Sequence, residues 1–324
     1  MEPSLELAAG RLAELLTGRV AALSDPSGRD LLFEAEIVLR PLERRPAPAD
    51  VWAVDGGQAV VADARCVQLL VTRAARVRFV AGERVLDDEG ELRAHLLGSG
   101  EERAALAGLG LDLDGQTSVD ANLLRDRWEW EAVERCVEEA QSGALVLVDG
   151  DLVPDWRIPS SFVAELLERA VERGVLVAGV TKHSSLARGG APLVGALELE
   201  AAVQLGARST WWAPVARTRS DLEAGGLQVV VARLDPDARF AFRIDLPAPV
   251  DPEAALGAIS AVSDDAAFPG YPYPLSVADQ LAACPPWLRH ELWLELEELF
   301  HRAGVPVEVV ERAFTDRHRL MERS

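Results

Sequence analysis

Two acids follow apolar runs in this sequence. Asp55 comes after Val51-Trp52-Ala53-Val54, and Asp149 after Ala144-Leu145-Val146-Leu147-Val148. Glycine comes next in both places, as Asp55-Gly56-Gly57 and Asp149-Gly150-Asp151. A strand buried on both faces carries an acid only where the chain reaches solvent, and a neighbouring glycine lets the backbone turn and a ligand come close. One Asp-Gly pair reads as an ordinary turn; two matched strand ends leave both readings open, a pair of turns or a place for chemistry. Ahead of Asp149 lie Glu129, Glu131, Glu134, Glu138 and Glu139. Spacings of three and four set Glu131, Glu134 and Glu138 along one helical face. Most of these should be solvated, some paired with Arg127 or Arg135. One is expected to turn toward the strand ends: Glu131 first, with Glu134 and Glu129 behind it. Carboxylates without a Cys/His cluster suit Mn²⁺ or Mg²⁺ and argue against structural zinc. Two such cations can activate water and hold the leaving oxygen when a phosphodiester is cut.

Other residues could serve the same chemistry. Lys182 is the one lysine among 33 basic residues and follows the apolar run Val175 to Val180. It reads either as a point charge for a phosphate oxygen or as an ordinary exposed lysine. The stiff segment Pro269-Gly270-Tyr271-Pro272-Tyr273-Pro274 holds both tyrosines. Tyr271 could bond a phosphate or stack on a base, and Asp279 could be a further metal ligand; the bland alternative is a packed turn with an acid near a helix start. His95, His183, His290, His301 and His318 have no nucleophile motif around them. Cys66, Cys136 and Cys284 lie far apart and odd in number, which fits reduced thiols better than zinc or disulfides.

The elements that must position these residues read as an α/β fold. Leu5 to Leu23 is amphipathic, and Asp30 to Leu39 continues in helical style. Strands follow at Val51 to Val54, Cys66 to Thr72 and Ala75 to Val80, with another starting at Val85. Leu92 to Leu106 reads as helix, then a loop from Gly108 to Gly115, then a long helix from Val119 to Ser142. Two fully apolar strands, ending at Asp149 and Val180, flank a helix from Ser160 to Arg173 that Ser160 or Ser161 would cap. Further strands are read at Thr210 to Val215, Leu227 to Leu234 and Phe240 to Leu246. Helices are expected near Val277 to Ala283, Trp287 to Ala303 and Val307 to Leu320. A meander joined to a βαβ unit predicts a ribonuclease-H-like mixed sheet flanked by helices.

The chain has 324 residues, 49% hydrophobic and 27% charged, which is ordinary for a globular protein. No apolar stretch approaches the roughly 20 residues needed to span a bilayer. The acidic N-terminus lacks the positive charge of a signal peptide. A cytoplasmic protein without membrane contact is expected. The net charge of −20 argues against a general nucleic-acid-coating surface, while leaving room for a local basic channel.

The ordered motifs resemble the NurA nuclease family. They are Ala53-Val54-Asp55-Gly56-Gly57, Leu147-Val148-Asp149-Gly150-Asp151-Leu152, Ala178-Gly179-Val180-Thr181-Lys182, Arg243-Ile244-Asp245, and Gly270-Tyr271-Pro272-Tyr273-Pro274-Leu275 with Ala278-Asp279. The resemblance implies a ribonuclease-H-like fold, a homodimer, and Mn²⁺-dependent DNA nuclease activity, both 5′–3′ exonuclease and single-strand endonuclease. It also implies a role in DNA end resection beside a HerA-type hexameric ATPase. By position Asp55 and Asp149 match metal-binding aspartates, Glu131 the helix glutamate, and Tyr271 the late tyrosine. Two positions depart from the pattern: Asp279 stands where many members have histidine, and Asp151 where serine is common. The expected organisation is a helical N-terminal segment (1–50), a nuclease domain (51–284) with a helical insertion at about 90–125, and C-terminal helices (285–324). Two other readings use the same residues: a non-catalytic DNA-processing adaptor that regulates the ATPase, and a phosphatase or nucleotide hydrolase.

Overall fold

A computed structural model describes residues 5–17, 22–26, 30–110, 118–153, 155–218 and 226–315. The chain opens with α1 (Leu5–Thr17), β1 (Leu23–Ser24), β2 (Leu31–Phe33) and β3 (Arg40–Pro41), then β4 (Asp50–Asp63), β5 (Val67–Val80), β6 (Glu83–Asp88) and β7 (Arg93–Gly98). Next come α2 (Glu102–Gly108), α3 (Ala121–Glu139), β8 (Leu145–Asp149), α4 (Ser160–Glu172), β9 (Leu176–Thr181), β10 (Ala187–Arg188), β11 (Ala191–Pro192) and α5 (Leu193–Gln204). The last described elements are β12 (Trp211–Thr218), β13 (Leu227–Arg233), β14 (Phe242–Pro247), α6 (Pro252–Ser260), α7 (Tyr273–Ala282), α8 (Pro286–Arg302) and α9 (Val307–Phe314).

One mixed sheet organises these elements, in the order β2-β12-β13-β14-β9-β8-β4-β5-β6, with β3 also on β12 and β7 also on β5. Its centre is parallel: β8 lies between β4 and β9, and all three run the same way. The flanks are antiparallel, β14 on β9 and β5 on β4. Parallel strands need covered faces, and both faces are covered here. Trp52, Val54, Val146, Val148 and Val177 pack under α3 and α4, while Val51, Ala53, Leu145, Leu147, Ala178 and Val180 pack under α6 and α7. A third cluster joins α5 to β12 and β13. This is the expected α/β architecture, a mixed sheet flanked by helices. No helix among the described residues is long and apolar enough to cross a membrane.

Several local expectations are corrected. β4 does not stop at Asp55; it runs on to Asp63, paired throughout with β5, which joins the two strands expected between Cys66 and Val80. Residues 31–33 form a strand on β12 and not a helix. The first half of the expected Leu92–Leu106 helix is β7, paired with β5, so the 90–125 segment is only partly helical. Periodicity misleads in these places because short pieces take their conformation from the sheet edge they join. Ser160 does not cap α4, since the cap position falls on Pro159. α5 and α6 are elements that the periodicity did not predict. The loop expected from Gly108 to Gly115 lies mostly outside the described residues, as does the stretch Asp316 to Leu320. All three cysteines are free: Cys136 buried, Cys284 half-buried and Cys66 exposed.

Candidate metal centre

The geometry begins with unequal strand lengths. β8 pairs with β4 only as far as Val54↔Val148 and with β9 as far as Asp149↔Val180. Beyond that point β4 continues without a parallel neighbour, and a notch opens at the carboxyl end of β8. Ligands of α/β sheets collect outside such strand ends. Asp55, Asp149 and Lys182 all stand around the notch, and α7 crosses it from one face and α3 from the other.

The two glycines after Asp55 serve this crossing. Neither has a positive φ. A Cβ on Gly57 would lie 1.8 Å from the Ala282 carbonyl oxygen, at the end of α7. A Cβ on Gly56, on the opposite face, would lie 2.7 Å from Glu129 Oε2 and 2.9 Å from Arg125 Cγ, both on α3. The pair therefore permits close helix approach and makes no turn. Arg73 on β5 pins the α7 terminus by donating from Nε to Ala282 O at 3.1 Å and from Nη2 to Ala283 O. On the β8 side, Gly150 has φ +136° and its N–H donates to Val180 O at 3.1 Å. The turn after β8 then passes over Gly179, where a Cβ would meet Gly150 O at 2.7 Å, and Leu152 N donates to the buried Asp245 carboxylate at 3.3 Å. Asp245 is in turn bonded by the buried Arg243 guanidinium at 2.8 and 2.9 Å.

Asp55, Asp149 and Asp279 each bring a carboxylate oxygen to one point, all within 4.8 Å of one another. Lys182 Nζ lies 2.5 Å from Asp149 Oδ2 and 2.9 Å from Asp279 Oδ1. It also sits 5.1 Å from the centroid of the Tyr271 ring. Tyr271 is 7% exposed, packs on Phe242, and is held by N–H donation from Tyr271 to Phe268 O and from Gly270 to Ser263 O. Its buried hydroxyl has no hydrogen-bond partner of good geometry. Burial, then the charges of Asp149 and Asp55, push its pKa up. The same balance pushes Asp55 up to about 8: burial first, then the Asp149 charge, against the opposing pull of Lys182. For Lys182, burial alone would favour the neutral amine, but hydrogen bonds and charge from Asp149 and Asp279 outweigh it and raise its pKa.

The glutamate on α3 is not the one expected. Glu131 turns away to Arg93, at 3.0 Å, whose guanidinium lies 3.7 Å over the Trp128 ring. Glu134 pairs with Arg169 at 2.5 Å. Glu129 is the glutamate that faces the site; it is 6% exposed, and burial followed by the charges of Asp55 and Asp126 holds its pKa well above the usual carboxylate range. The physical reason is helical phase. Glu129 precedes Val133 and Cys136 by four and seven residues, which puts it on the buried stripe. Glu131 falls on the charged side. One acid inside an apolar stripe was the available signal. Asp126, one turn earlier, was also missed; burial pushes it up to about 6, and it accepts a bond from Asp155 N at 2.6 Å.

On the α3 side, Asp149 borders a cleft of about 610 Å³ that also takes in Arg125, Asp126, Glu129 and Asp151. Trp156, 85% exposed, stands at its rim.

No protein-family model matches the chain, and no curated protein does. Among solved structures, the NurA nuclease from Sulfolobus solfataricus is 13% identical over 93% of this chain and 95% of its own, with a TM-score of 0.57. A second NurA structure aligns at 8% identity over 74% of this chain and 86% of its own, TM-score 0.45. The catalytic domain of human Endonuclease V aligns at 20% identity over 94% and 100%, TM-score 0.40. The chain is thus NurA-like in fold along almost its whole length, in agreement with the family that its motifs resemble.

Proposed function

We propose that this chain is a divalent-metal-dependent nuclease that hydrolyses phosphodiester bonds in DNA at the Asp55–Asp149 notch. One observation carries the reading: carboxylate oxygens from β4, the end of β8 and α7 converge within 4.8 Å. Such a set is costly without a cation, because carboxylates this close repel one another. The residues fit a hard divalent ion. Their donors are oxygens only, and the Tyr271 hydroxyl is buried beside them without a hydrogen bond of good geometry. Asp55, Asp149 and Asp279 would hold the ion, with Glu129 reaching the same notch from α3 in the role first given to Glu131.

Bound there, such an ion supplies stabilisation of charge on the phosphoryl oxygens and a lowered pKa for attacking water. The chain contributes the rest. Lys182 offers a compact cation to a non-bridging phosphate oxygen. Tyr271 can donate its hydroxyl proton in a hydrogen bond to the phosphate. The cleft of about 610 Å³ beside Asp149 has Trp156 at its rim, a ring on which a base can stack.

The motif resemblance supports finer proposals: Mn²⁺ as the working ion, 5′–3′ exonuclease and single-strand endonuclease activity, a homodimer, and a HerA-type ATPase as partner in end resection. The −20 charge suits an enzyme that receives DNA from a partner. The nuclease unit is proposed to span 51–284, with β2 and β3 of the 1–50 segment added to its sheet and 285–324 as a flanking segment. The deciding assay is degradation of labelled linear and single-stranded DNA with Mn²⁺, with and without the ATPase, by wild type, Asp55→Ala and Asp149→Ala. Wild type should cut and both variants should be inert. Wild type inert under every condition would favour an adaptor, and activity confined to mononucleotides a phosphatase.

A further inference from the structure

Lys182 sits where a cation bound by Asp149 and Asp279 would sit. Its ammonium touches Asp149 Oδ2 at 2.5 Å and Asp279 Oδ1 at 2.9 Å, and both residues also offer an oxygen to the cluster that includes Asp55. The face of Tyr271 backs the ammonium at 5.1 Å, a favourable placement for a cation. The opening is toward solvent: the Lys182 side chain is 37% exposed and that of Asp279 53%. The choice of residue is a second, independent observation. The chain uses arginine for every other base, yet places its one lysine here. A guanidinium is a planar fork suited to lasting bidentate pairs, whereas an ammonium is a compact point charge on a flexible stem. The compact, movable ion is the one that can occupy a metal position and then leave it.

We infer that Lys182 is the resident cation of this cluster in the metal-free protein and an internal competitor that a divalent ion must displace before the site is armed. This rests on the metal-centre reading above and adds its regulation. The ammonium neutralises the acids when no metal is bound, and its departure delivers a positive charge to the substrate side of the site. Asp279 is then as much the holder of Lys182 as a ligand. Metal occupancy becomes a threshold, set by competition between two cations for the same oxygens.

The test is Mn²⁺ binding to wild type, Lys182→Met and Asp55→Asn, followed by electron paramagnetic resonance of the free ion without any DNA. Lys182→Met should bind Mn²⁺ at least about tenfold more tightly than wild type, because the competing charge is gone, and Asp55→Asn should lose most binding. A single lysine permits a direct check on the unaltered chain. Protein labelled with [¹³C-ε]lysine gives one methylene signal, which should shift on Mg²⁺ titration with the midpoint of metal binding. Equal or weaker binding by Lys182→Met, or a Cε signal unmoved at saturating Mg²⁺, overturns the inference while leaving the metal centre standing if Asp55→Asn still abolishes binding. Absence of binding in both wild type and Lys182→Met, or binding indifferent to Asp55→Asn, removes the metal centre and the inference together. If Lys182→Met does not fold, the methylene titration decides alone.

Discussion

Two of the three aspartates of β4, Asp50 and Asp55, and two of the glutamates of α3, Glu129 and Glu131, have opposite surroundings within each pair. Asp50 opens β4 and is clasped by Arg78, with bonds of 2.8 and 3.1 Å and a third from Gln141 N. Burial alone would raise its pKa, but the Arg78 hydrogen bond and the Gln141 N–H outweigh it and hold the carboxyl below the usual aspartate range. Five residues along the same strand, Asp55 has no guanidinium and faces other acids, and it is pushed up to about 8. On α3, Glu131 is held by Arg93 and lowered, while Glu129 two residues earlier is buried among acids and raised. Residue type and element are the same in each pair; only the neighbours differ. Acids with an arginine fork stabilise the fold, whereas acids that face each other cost stability and mark where a cation is expected to bind.

The contrast is broken most sharply by removing acids from each class and measuring DNA cleavage. Asp149→Ala and Glu129→Gln should lower the rate by about 10³-fold, the scale of losing one group that stabilises transition-state charge. Glu131→Gln should leave the rate within about twofold, since a partly exposed ion pair contributes little. Equal losses at Glu129 and Glu131 would refute the assignment of Glu129 to the site.

Placement can be broken with every acid retained. In Gly57→Ala a methyl would sit 1.8 Å from the Ala282 carbonyl, so α7 must move and carry Asp279 with it. A stability loss of about 3 kcal/mol is expected, with weakened Mn²⁺ binding. Urea unfolding and metal titration on one sample measure both, and a variant of wild-type stability would show that the close approach is unimportant.

The paired class is tested at Asp50. Asp50→Ala should cost about 2 kcal/mol at pH 7 by urea denaturation, leaving a charged donor without its acceptor. The sign with pH follows from the lowered pKa: this stability is present above the ordinary aspartate pKa and fades as pH falls through the lower folded value. A penalty that is unchanged down to pH 2 would be inconsistent with ionic pairing.

Asp55 should behave in the opposite way, with the smallest effect of the four. Its raised pKa means that metal-free stability is present in acid and lost as pH rises through about 8. With EDTA at pH 8, Asp55→Asn should therefore raise Tm by about 1–2 °C, a gain near 1 kcal/mol at this chain length. Excess Mn²⁺ should reverse the order by stabilising wild type alone. A lower Tm for Asp55→Asn in EDTA would place Asp55 in the stabilising class.

Sequence alone was enough for the features that depend on local pattern. Apolar runs at 51–54, 144–148 and 175–180 named the three parallel strands at the sheet centre, because strands buried on both faces admit few polar residues. Asp149 and Lys182 were legible as strand-end residues for the same reason, and Tyr271 and Asp279 through the ordered motifs. Tertiary packing decided the rest. Whether Asp55 ends a strand depends on where its neighbour β8 stops, which is set by pairing and not by Asp-Gly chemistry. Which glutamate of α3 looks inward depends on the phase at which the helix lies on β4, and a helix turns about 100° per residue, so two positions separate an inward side chain from an outward one. That Lys182 lies between Asp149 and Asp279 depends on α7 crossing Gly57, a contact between segments more than 200 residues apart that only the folded chain creates.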